Sequence, residues 1–371
     1  MGSKFRIAIA GGGTGGHLYP GLAIADYFKH NFPGSEIIFM GTAKGIENKI
    51  VPAQGYKLYL LPVRGLLRKI SLQNFLFPFR LLLSVCQAWV LLRRFQPQIV
   101  IGTGGYVAGP PLLAARLLKI PTAIQEQNSF PGLVNRKLGN KVDLVCAAFS
   151  DSEKYFSGQK NFYLTGNPVR LQQGEIDKKN ALKNFDLQPD KKNVLIFGGS
   201  QGANRINEVV AEILPELAKN DDVQIIWIVG PVSEVKWKHL ENKYPENVRV
   251  LGYVENMALA YSIADVAICR AGAMTISEIT LFGIPAIFIP FPYATADHQT
   301  KNAQSVVQTG AALLIDEKNL NEEKLTGALM QLLSDSTLMA KMKKATSALA
   351  KPDATKNIVN HCVALIEKSM H

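Results

Sequence analysis

Two short apolar runs, Phe5 to Ala10 and Val194 to Phe197, each lead directly into a glycine-rich turn and then into a helical pattern. Nothing else in the chain limits the fold as tightly. A strand that is apolar along its length, without alternation, is buried on both faces, as in a parallel sheet covered by helices. The turns read Gly11-Gly12-Gly13-Thr14-Gly15-Gly16-His17 and Gly198-Gly199-Ser200-Gln201-Gly202-Ala203. Glycine lets the backbone come close to a ligand, and a helix start offers unpaired N–H groups and a positive dipole end. Each turn is thus expected to hold an anion.

Further short apolar strands are expected at Glu36 to Met40, Leu58 to Pro62, Ile99 to Gly102, Thr122 to Gln125 and Leu144 to Ala147. Helical patterns or glycine turns separate them, as crossover connections require. The polar stretch Gln172 to Lys192 breaks the rhythm, and the opening grammar then restarts. A helix runs from the second glycine turn to about Lys219, and strands follow at Gln224 to Val229, Val248 to Gly252, Val266 to Cys269, Ala286 to Ile289 and Ala311 to Ile315. Two doubly wound α/β domains are predicted, with ligands at the carboxyl ends of the strands in a cleft between them. A terminal helix is expected after Pro352.

The 371 residues suffice for two cores, and 47% hydrophobic with 19% charged residues marks a globular chain. A net charge of +11 points to anionic partners: phosphates, nucleic acid or an acidic membrane surface. Cys86, Cys146, Cys269 and Cys362 stand far apart among apolar neighbours, which fits buried thiols in a reduced, cytoplasmic protein better than disulfides or zinc. The uncharged stretches Phe95 to Ala115 and Ile279 to Ala296 are broken by glycine and proline, so no spanning helix is expected, and because the first strand starts almost at the N-terminus no signal peptide is expected. One segment departs from the pattern. Arg64, Arg68 and Lys69 precede Phe75-Leu76-Phe77-Pro78-Phe79, and a helical stretch from Leu81 ends at Arg93-Arg94. Its polar residues Gln73, Arg80, Ser84, Gln87 and Arg94 form a narrow stripe, so most of the helix is expected to be buried. The aromatic cluster Phe75, Phe77 and Phe79, beside Arg68, Lys69 and Arg80, suits contact with anionic headgroups.

The first turn satisfies G-x-G-x-x-G through Gly11, Gly13 and Gly16, yet dinucleotide binding also needs an acidic residue at the end of the second strand. That strand ends Met40-Gly41-Thr42-Ala43, and Glu47 falls within the next helix, so the dinucleotide reading is disfavoured. No Gly-Lys-Ser/Thr follows either turn and no D-x-D occurs, which leaves backbone dipoles and basic side chains, without metal, to meet the anion. A helix N-terminus disfavours imidazolium, so His17 is a candidate general base. Gly102-Thr103-Gly104-Gly105-Tyr106 and Gln125-Glu126-Gln127-Asn128 end two further strands on the same rim, with Glu126 and Tyr106 as alternative bases. In the second half, Ser200 sits where a diphosphate would meet a helix start. Glu278, about one turn into the helix after Cys269-Arg270-Ala271-Gly272, could accept two vicinal ribose hydroxyls. His298, Gln299 and Asn302 are polar in an apolar region and read as sugar-binding candidates.

Taken in order, these motifs resemble the MurG family: Gly-Gly-Thr-Gly-Gly-His at 12–17, Gly-Gly-Tyr-Val-Ala-Gly at 104–109, Glu-Gln-Asn at 126–128, Gly-Asn-Pro-Val-Arg at 166–170, Gly-Gly-Ser-Gln-Gly-Ala at 198–203 and Cys-Arg-Ala-Gly-Ala-Met-Thr-Ile-Ser-Glu at 269–278. The resemblance runs from Ile7 to the Pro-Asp-Ala-Thr at 352–355. It implies a GT-B fold with an acceptor-side and membrane-facing domain at 1–166, a donor domain at 167–352, and a final helix, 353–371, that crosses back to the first domain. It implies inverting, metal-independent transfer of GlcNAc from UDP-GlcNAc to the 4-hydroxyl of undecaprenyl-pyrophosphoryl-MurNAc-pentapeptide (lipid I), giving lipid II at the cytoplasmic face of the cell membrane, with no cofactor. Donor contacts implied by the resemblance are Thr14, Gly15, Gly16, Asn128, Arg170, Ser200, Val254, Ala273, Met274, Thr275, Ile276, Ser277, Glu278 and Gln299. Arg170 would neutralise the leaving diphosphate, and Val254 backbone would pair with uracil. Gly12, Gly13, Gly104 and Gly105 would face the acceptor diphosphate. Cell-wall synthesis proteins are possible partners. Two other readings are a UDP-GlcNAc 2-epimerase of the same fold and a non-catalytic basic binder of nucleic acid or membrane. No nucleic-acid motif supports the last.

Overall fold

The structure, a computed structural model, describes residues 4–65, 77–170, 176–199 and 201–370. The chain divides into two compact units, Met1–Arg170 with Lys351–His371, and Leu171–Ala350. The first unit holds a parallel sheet of β1 (Arg6–Gly11), β2 (Glu36–Gly41), β3 (Lys57–Leu60), β4 (Ile99–Gly104), β5 (Thr122–Glu126), β6 (Leu144–Ala147) and β7 (Phe162–Leu164), in the order β3-β2-β1-β4-β5-β6-β7. The second holds β8 (Lys192–Phe197), β9 (Val223–Ile228), β10 (Val248–Leu251), β11 (Val266–Cys269), β12 (Ala286–Phe288) and β13 (Ala312–Leu314), in the order β10-β9-β8-β11-β12-β13.

Both orders reverse direction once, between β1 and β4 and between β8 and β11. Connections leave to opposite sides at such a point, and the loops there splay apart into a crevice. The glycine turns after β1 and β8 therefore stand where each sheet can hold a ligand. The strands fall close to the ranges expected from their apolar runs. The exception is β7, unforeseen because it is a short edge strand, half-buried at Phe162 and exposed at Tyr163 and Leu164.

Burial on both faces explains the unbroken apolar runs. Ile7 and Ile9 of β1 face Leu18, Leu22 and Phe28 of the helix Gly15–Asn31, while Ala8 and Ala10 face Ala88, Leu92 and Leu112 on the other side. The final helix, Ala354–Met370, joins the first face through Ile358, Val359, Cys362 and Ile366. That spacing, three and four residues apart, lays one apolar stripe along a helix. In the second unit, Val194 and Ile196 pack with Ile206, Val210 and Ile213 of the helix Asn204–Leu217.

The helix Phe77–Phe95 corrects one expectation. Rather than lying in the core for most of its length, it buries Ser84, Ala88 and Leu92 and leaves Phe79 72%, Leu82 64% and Leu83 51% exposed. Ser84, counted in the polar stripe, is on the buried side, where its hydroxyl donates to Arg80 O at 2.7 Å. Hydrogen bonding to its own backbone lets a serine enter a core face. Among the described residues no helix is long and apolar enough to cross a membrane, and all four cysteines are free thiols.

Because Ile366 is fully buried, Ile366→Ala should cost about 2–5 kcal/mol in urea unfolding. The exposed neighbour Glu367→Ala should stay within about 0.5 kcal/mol.

Candidate active site

The first unit gathers its polar groups at the β1/β4 crevice. Thr14 starts the helix Gly15–Asn31 with extended backbone and no side-chain cap, so the N–H groups of Gly15 and Gly16 are left for a ligand, while those of His17 and Leu18 turn back to Thr14 O. His17 lies in that first turn. Its carbonyl accepts from Thr103 Oγ1 at 2.7 Å, which ties it to the end of β4. Its ring Nδ1 lies 3.3 Å from Gly12 O and 3.2 Å from Thr14 Oγ1. A carbonyl oxygen only accepts, so the contact with Gly12 O is a hydrogen bond in the Nδ1–H tautomer, which puts the ring's lone pair on Nε2. Gly104 (φ +108°) and Gly105 (φ +75°) fit around the ring: a Cβ on Gly104 would lie 2.6 Å from His17 Cδ2, and one on Gly105 2.7 Å from Gly12 O. Only glycine takes both that backbone and that proximity. The Tyr106 ring stands against Gly13 and Gly65.

Two buried carboxylates organise these loops. Glu126 accepts from Asn128 N at 2.9 Å and Asn128 Nδ2 at 3.2 Å on one oxygen, and from Gly132 N at 3.1 Å and Asn135 Nδ2 at 2.8 Å on the other. Burial raises its pKa, and these donors pull it back. With both oxygens already accepting two bonds, Glu126 is placed to shape the loop 126–135. Nearby, Gln127 Nε2 donates to Thr103 O at 2.8 Å and Gln125 Nε2 to Asn167 Oδ1 at 3.0 Å, tying the ends of β4 and β5 to Asn167.

The other carboxylate is Glu47, which the sequence offered only as a residue in the wrong place for a ribose. It is fully buried, and its Oε2 accepts from Gly13 N at 2.8 Å. This corrects one expectation. An N–H has one hydrogen, and that of Gly13 is turned inward to a carboxylate, away from a diphosphate. A carboxylate just after two glycines, Gly41 and Gly45, was the available signal.

In the second unit, Gly199 (φ +95°) and Gly202 (φ +75°) shape the turn after β8. A Cβ on Gly202 would strike Val229 O, so this turn packs directly on the backbone after β9. The helix Ala273–Phe282 begins after Gly272 without a side-chain cap. Ala273 and Ile276 are buried, and Met274, Thr275 and Ser277 half-buried. Contact from Ala273 and Ile276 would thus come from backbone. Arg270 holds the site's floor, donating to Ile289 O at 3.0 Å and Pro290 O at 3.1 Å and pairing with Glu317. Glu278 accepts from Tyr261 OH at 2.9 Å. Burial pushes its carboxyl up to about 7, and the Tyr261 bond draws it partly back. Gln299 Oε1 accepts from Phe291 N at 2.9 Å. His298 Nδ1 donates to Thr295 O at 2.7 Å, and burial lowers its pKa. Ala296 (φ +53°) and Asp297 (φ +55°), just before it, hold strained backbone for non-glycine residues. Asn302 is fully buried beside Ala271 O at 3.4 Å, a brace for the turn before the helix and not an open sugar contact. Val254 is half-buried in the loop after β10.

Arg170 is not brought to these clusters. The Arg170 guanidinium pairs with Asp26 at 2.7 Å and bonds Gln54 Oε1 at 2.9 Å. Asp26 is about 13 Å along its helix from His17 at 1.5 Å per residue, so Arg170 stands away from the first glycine turn, its charge already balanced. Ser200, Arg68, Lys69 and Phe75 lie outside the described residues. Among the described residues no three His, Cys, Asp or Glu side chains converge as a metal site.

Two glycine-turn sheets with these clusters are the architecture of a nucleotide-sugar glycosyltransferase. Residues 7–146 match the glycosyltransferase family 28 N-terminal domain and residues 193–358 the glycosyltransferase family 28 C-terminal domain, and the chain belongs to that family. It is 42% identical to the UDP-N-acetylglucosamine--N-acetylmuramyl-(pentapeptide) pyrophosphoryl-undecaprenol N-acetylglucosamine transferase of Flavobacterium psychrophilum, over 98% of each chain. The transferase of the same description from Carboxydothermus hydrogenoformans is 40% identical over 98% of each. The crystal structure of Acinetobacter baumannii MurG matches with a TM-score of 0.78 at 32% identity, over 99% of this chain and 100% of that one. Relatives this similar from end to end place the chain within the MurG family. A UDP-N-acetylglucosamine 2-epimerase matches with a TM-score of 0.66 at 17% identity, over 100% of this chain and 98% of that one, a likeness of fold alone.

A carboxyl whose folded pKa stands above the unfolded value of about 4.3 stabilises the fold while protonated; that contribution is complete below the unfolded pKa and lost as pH rises through the folded one. For Glu278 the loss runs from about pH 4.3 to beyond about 7. Glu278→Gln should therefore raise the thermal midpoint of its unit at pH 8.5 and leave it close to wild type at pH 4.

Proposed function

We propose that the protein transfers GlcNAc from UDP-GlcNAc to the 4-hydroxyl of undecaprenyl-pyrophosphoryl-MurNAc-pentapeptide, giving lipid II. The observation that carries this reading is identity of 42% over 98% of the chain with a transferase of that description. The geometry supplies a mechanism. His17 Nε2 takes the proton of the attacking hydroxyl as its oxygen bonds to the anomeric carbon. The bond from that carbon to the UDP oxygen breaks, its electron pair leaves with UDP, and the anomeric centre inverts. Negative charge gathers on the diphosphate as it leaves. The helix starts at Asn204 and Ala273, neither with a side-chain cap, set positive dipole ends against it without a metal.

In this reading the second unit is the donor side. Ionised Glu278 accepts the ribose hydroxyls, Val254 backbone meets uracil, and Thr275, Gln299 and His298 stand toward the sugar. The first unit is the acceptor side, where Gly12, Gly104 and Gly105 shape the ground around His17. The exposed Phe79, Leu82 and Leu83, with Arg80 beside them, suit peripheral contact with an anionic membrane, where the lipid-linked acceptor resides. The epimerase reading rests on fold likeness alone.

Purified protein in EDTA should release UDP from UDP-GlcNAc only when the lipid-linked acceptor is added, and consumption of donor without acceptor would favour the epimerase. In that assay His17→Ala should lower kcat by about 10²–10⁴-fold with the donor KM near wild type. An unchanged kcat removes His17 from the base role.

Phe79→Ser combined with Leu82→Ser should weaken sedimentation with phosphatidylglycerol vesicles and leave UDP-GlcNAc affinity intact. Loss of both together would show that the face supports the fold instead.

A further inference from the structure

Glu47 is a buried carboxylate that the transfer reaction, as described above, does not use. It is fully buried and opens the helix Glu47–Ala53. Its Oε1 accepts from Thr42 N at 2.9 Å and from Thr42 Oγ1 at 2.8 Å. Its Oε2 accepts from Gly13 N at 2.8 Å. Three glycines close on it, for a Cβ on Gly12, Gly41 or Gly45 would strike its side chain. Burying a carboxylate is costly unless donors surround it, and here every such contact is an N–H or O–H donor.

The peptide that Glu47 grips is the one that His17 reads. The N–H of Gly13 and the C=O of Gly12 belong to one planar peptide unit, and in a trans peptide they point in opposite directions. The N–H goes to Glu47, and the C=O lies 3.3 Å from His17 Nδ1. A carboxylate that accepts from the N–H polarises the peptide and strengthens its oxygen as an acceptor. A stronger acceptor at Nδ1 favours the Nδ1–H tautomer and makes Nε2 more basic, the same service that a carboxylate directly behind a catalytic histidine performs.

We propose that Glu47 is a positioning residue for the transfer, acting through the Gly12–Gly13 peptide to hold His17 in the tautomer whose Nε2 accepts the proton. The inference rests on the reading of His17 as the base. Glutamine at this position cannot serve both sides, because its NH₂ must face either Gly13 N–H or the Thr42 donors.

The test compares Glu47→Gln with Thr42→Val, which removes a donor to the same carboxylate but leaves the peptide contact in place. In the lipid-acceptor assay, Glu47→Gln should lower kcat by about 10–100-fold, the range seen for outer-shell partners of metal-bound histidines, with the donor KM little changed. Thr42→Val should lower the thermal midpoint and keep kcat within about twofold. Nitrogen-15 NMR of the imidazoles, with His17 assigned by its loss in His17→Ala, should show Nδ1–H in the wild type and a mixture in Glu47→Gln. An Nε2–H tautomer in the wild type overturns the proposal even where Glu47→Gln fails to fold. Equal loss of kcat in both variants overturns it too, because it marks a merely structural carboxylate. Absence of transfer by the wild type itself sinks the functional reading, while the tautomer measurement still decides the relay.

Discussion

A parallel strand cannot return to its neighbour without a crossover, and crossovers in these sheets change sides once, at β1/β4 and at β8/β11. Everything chemical in this protein follows from those two points. The loops that splay apart there carry the glycine turns, and the helices that begin there present their uncapped starts. Both sheet faces must also be covered, which explains why the strands are apolar without alternation and why the final helix supplies Ile358, Cys362 and Ile366 to the first core.

Within the first crevice, backbone takes the place that side chains hold in many active sites. Gly104 and Gly105 fit against His17 because no Cβ intervenes, and Gly12 carries the carbonyl that its ring meets. Such closeness demands rigid backing. Glu47 and Glu126 give it from beneath, each a buried carboxylate that gathers several donors into one loop conformation. Neither is a surface charge recruited to a ligand; both spend their hydrogen-bonding capacity on the fold.

The second unit uses the same topology with different electrostatics. Arg270, buried and paired with Glu317, holds the ends of β11 and β12. Glu278 lies within the helix Ala273–Phe282 with Tyr261 as its donor, and burial makes its ionisation sensitive to pH near neutrality. A carboxyl so poised can be neutral in the empty fold and charged against two hydroxyls, because each donor it gains favours the ionised form.

Reading the chain alone was enough for the sheets, because strand burial on two faces writes itself as apolar runs, and for the glycine turns, because Gly13, Gly199 and Gly202 take positive φ and a Cβ on Gly11 or Gly12 would strike a neighbour. The candidates His17, Glu278 and Gln299 were singled out because they follow strand ends, where doubly wound folds place chemistry. The short edge strand β7 was not, because three residues, two of them exposed, carry no periodicity. The exposed face of Phe77–Phe95 was misread because apolar composition does not say which side a neighbour covers. Glu47 and Tyr261 were invisible as partners because their bonds join residues 34 and 17 positions apart, and local pattern holds no record of what folds against what. The sequence by itself therefore determined the backbone grammar, through residue-level sterics and burial. Only the tertiary structure decided which polar groups are spent inside the loops and which remain to act, since hydrogen bonds saturate and each donor can be counted only once its partner is in place.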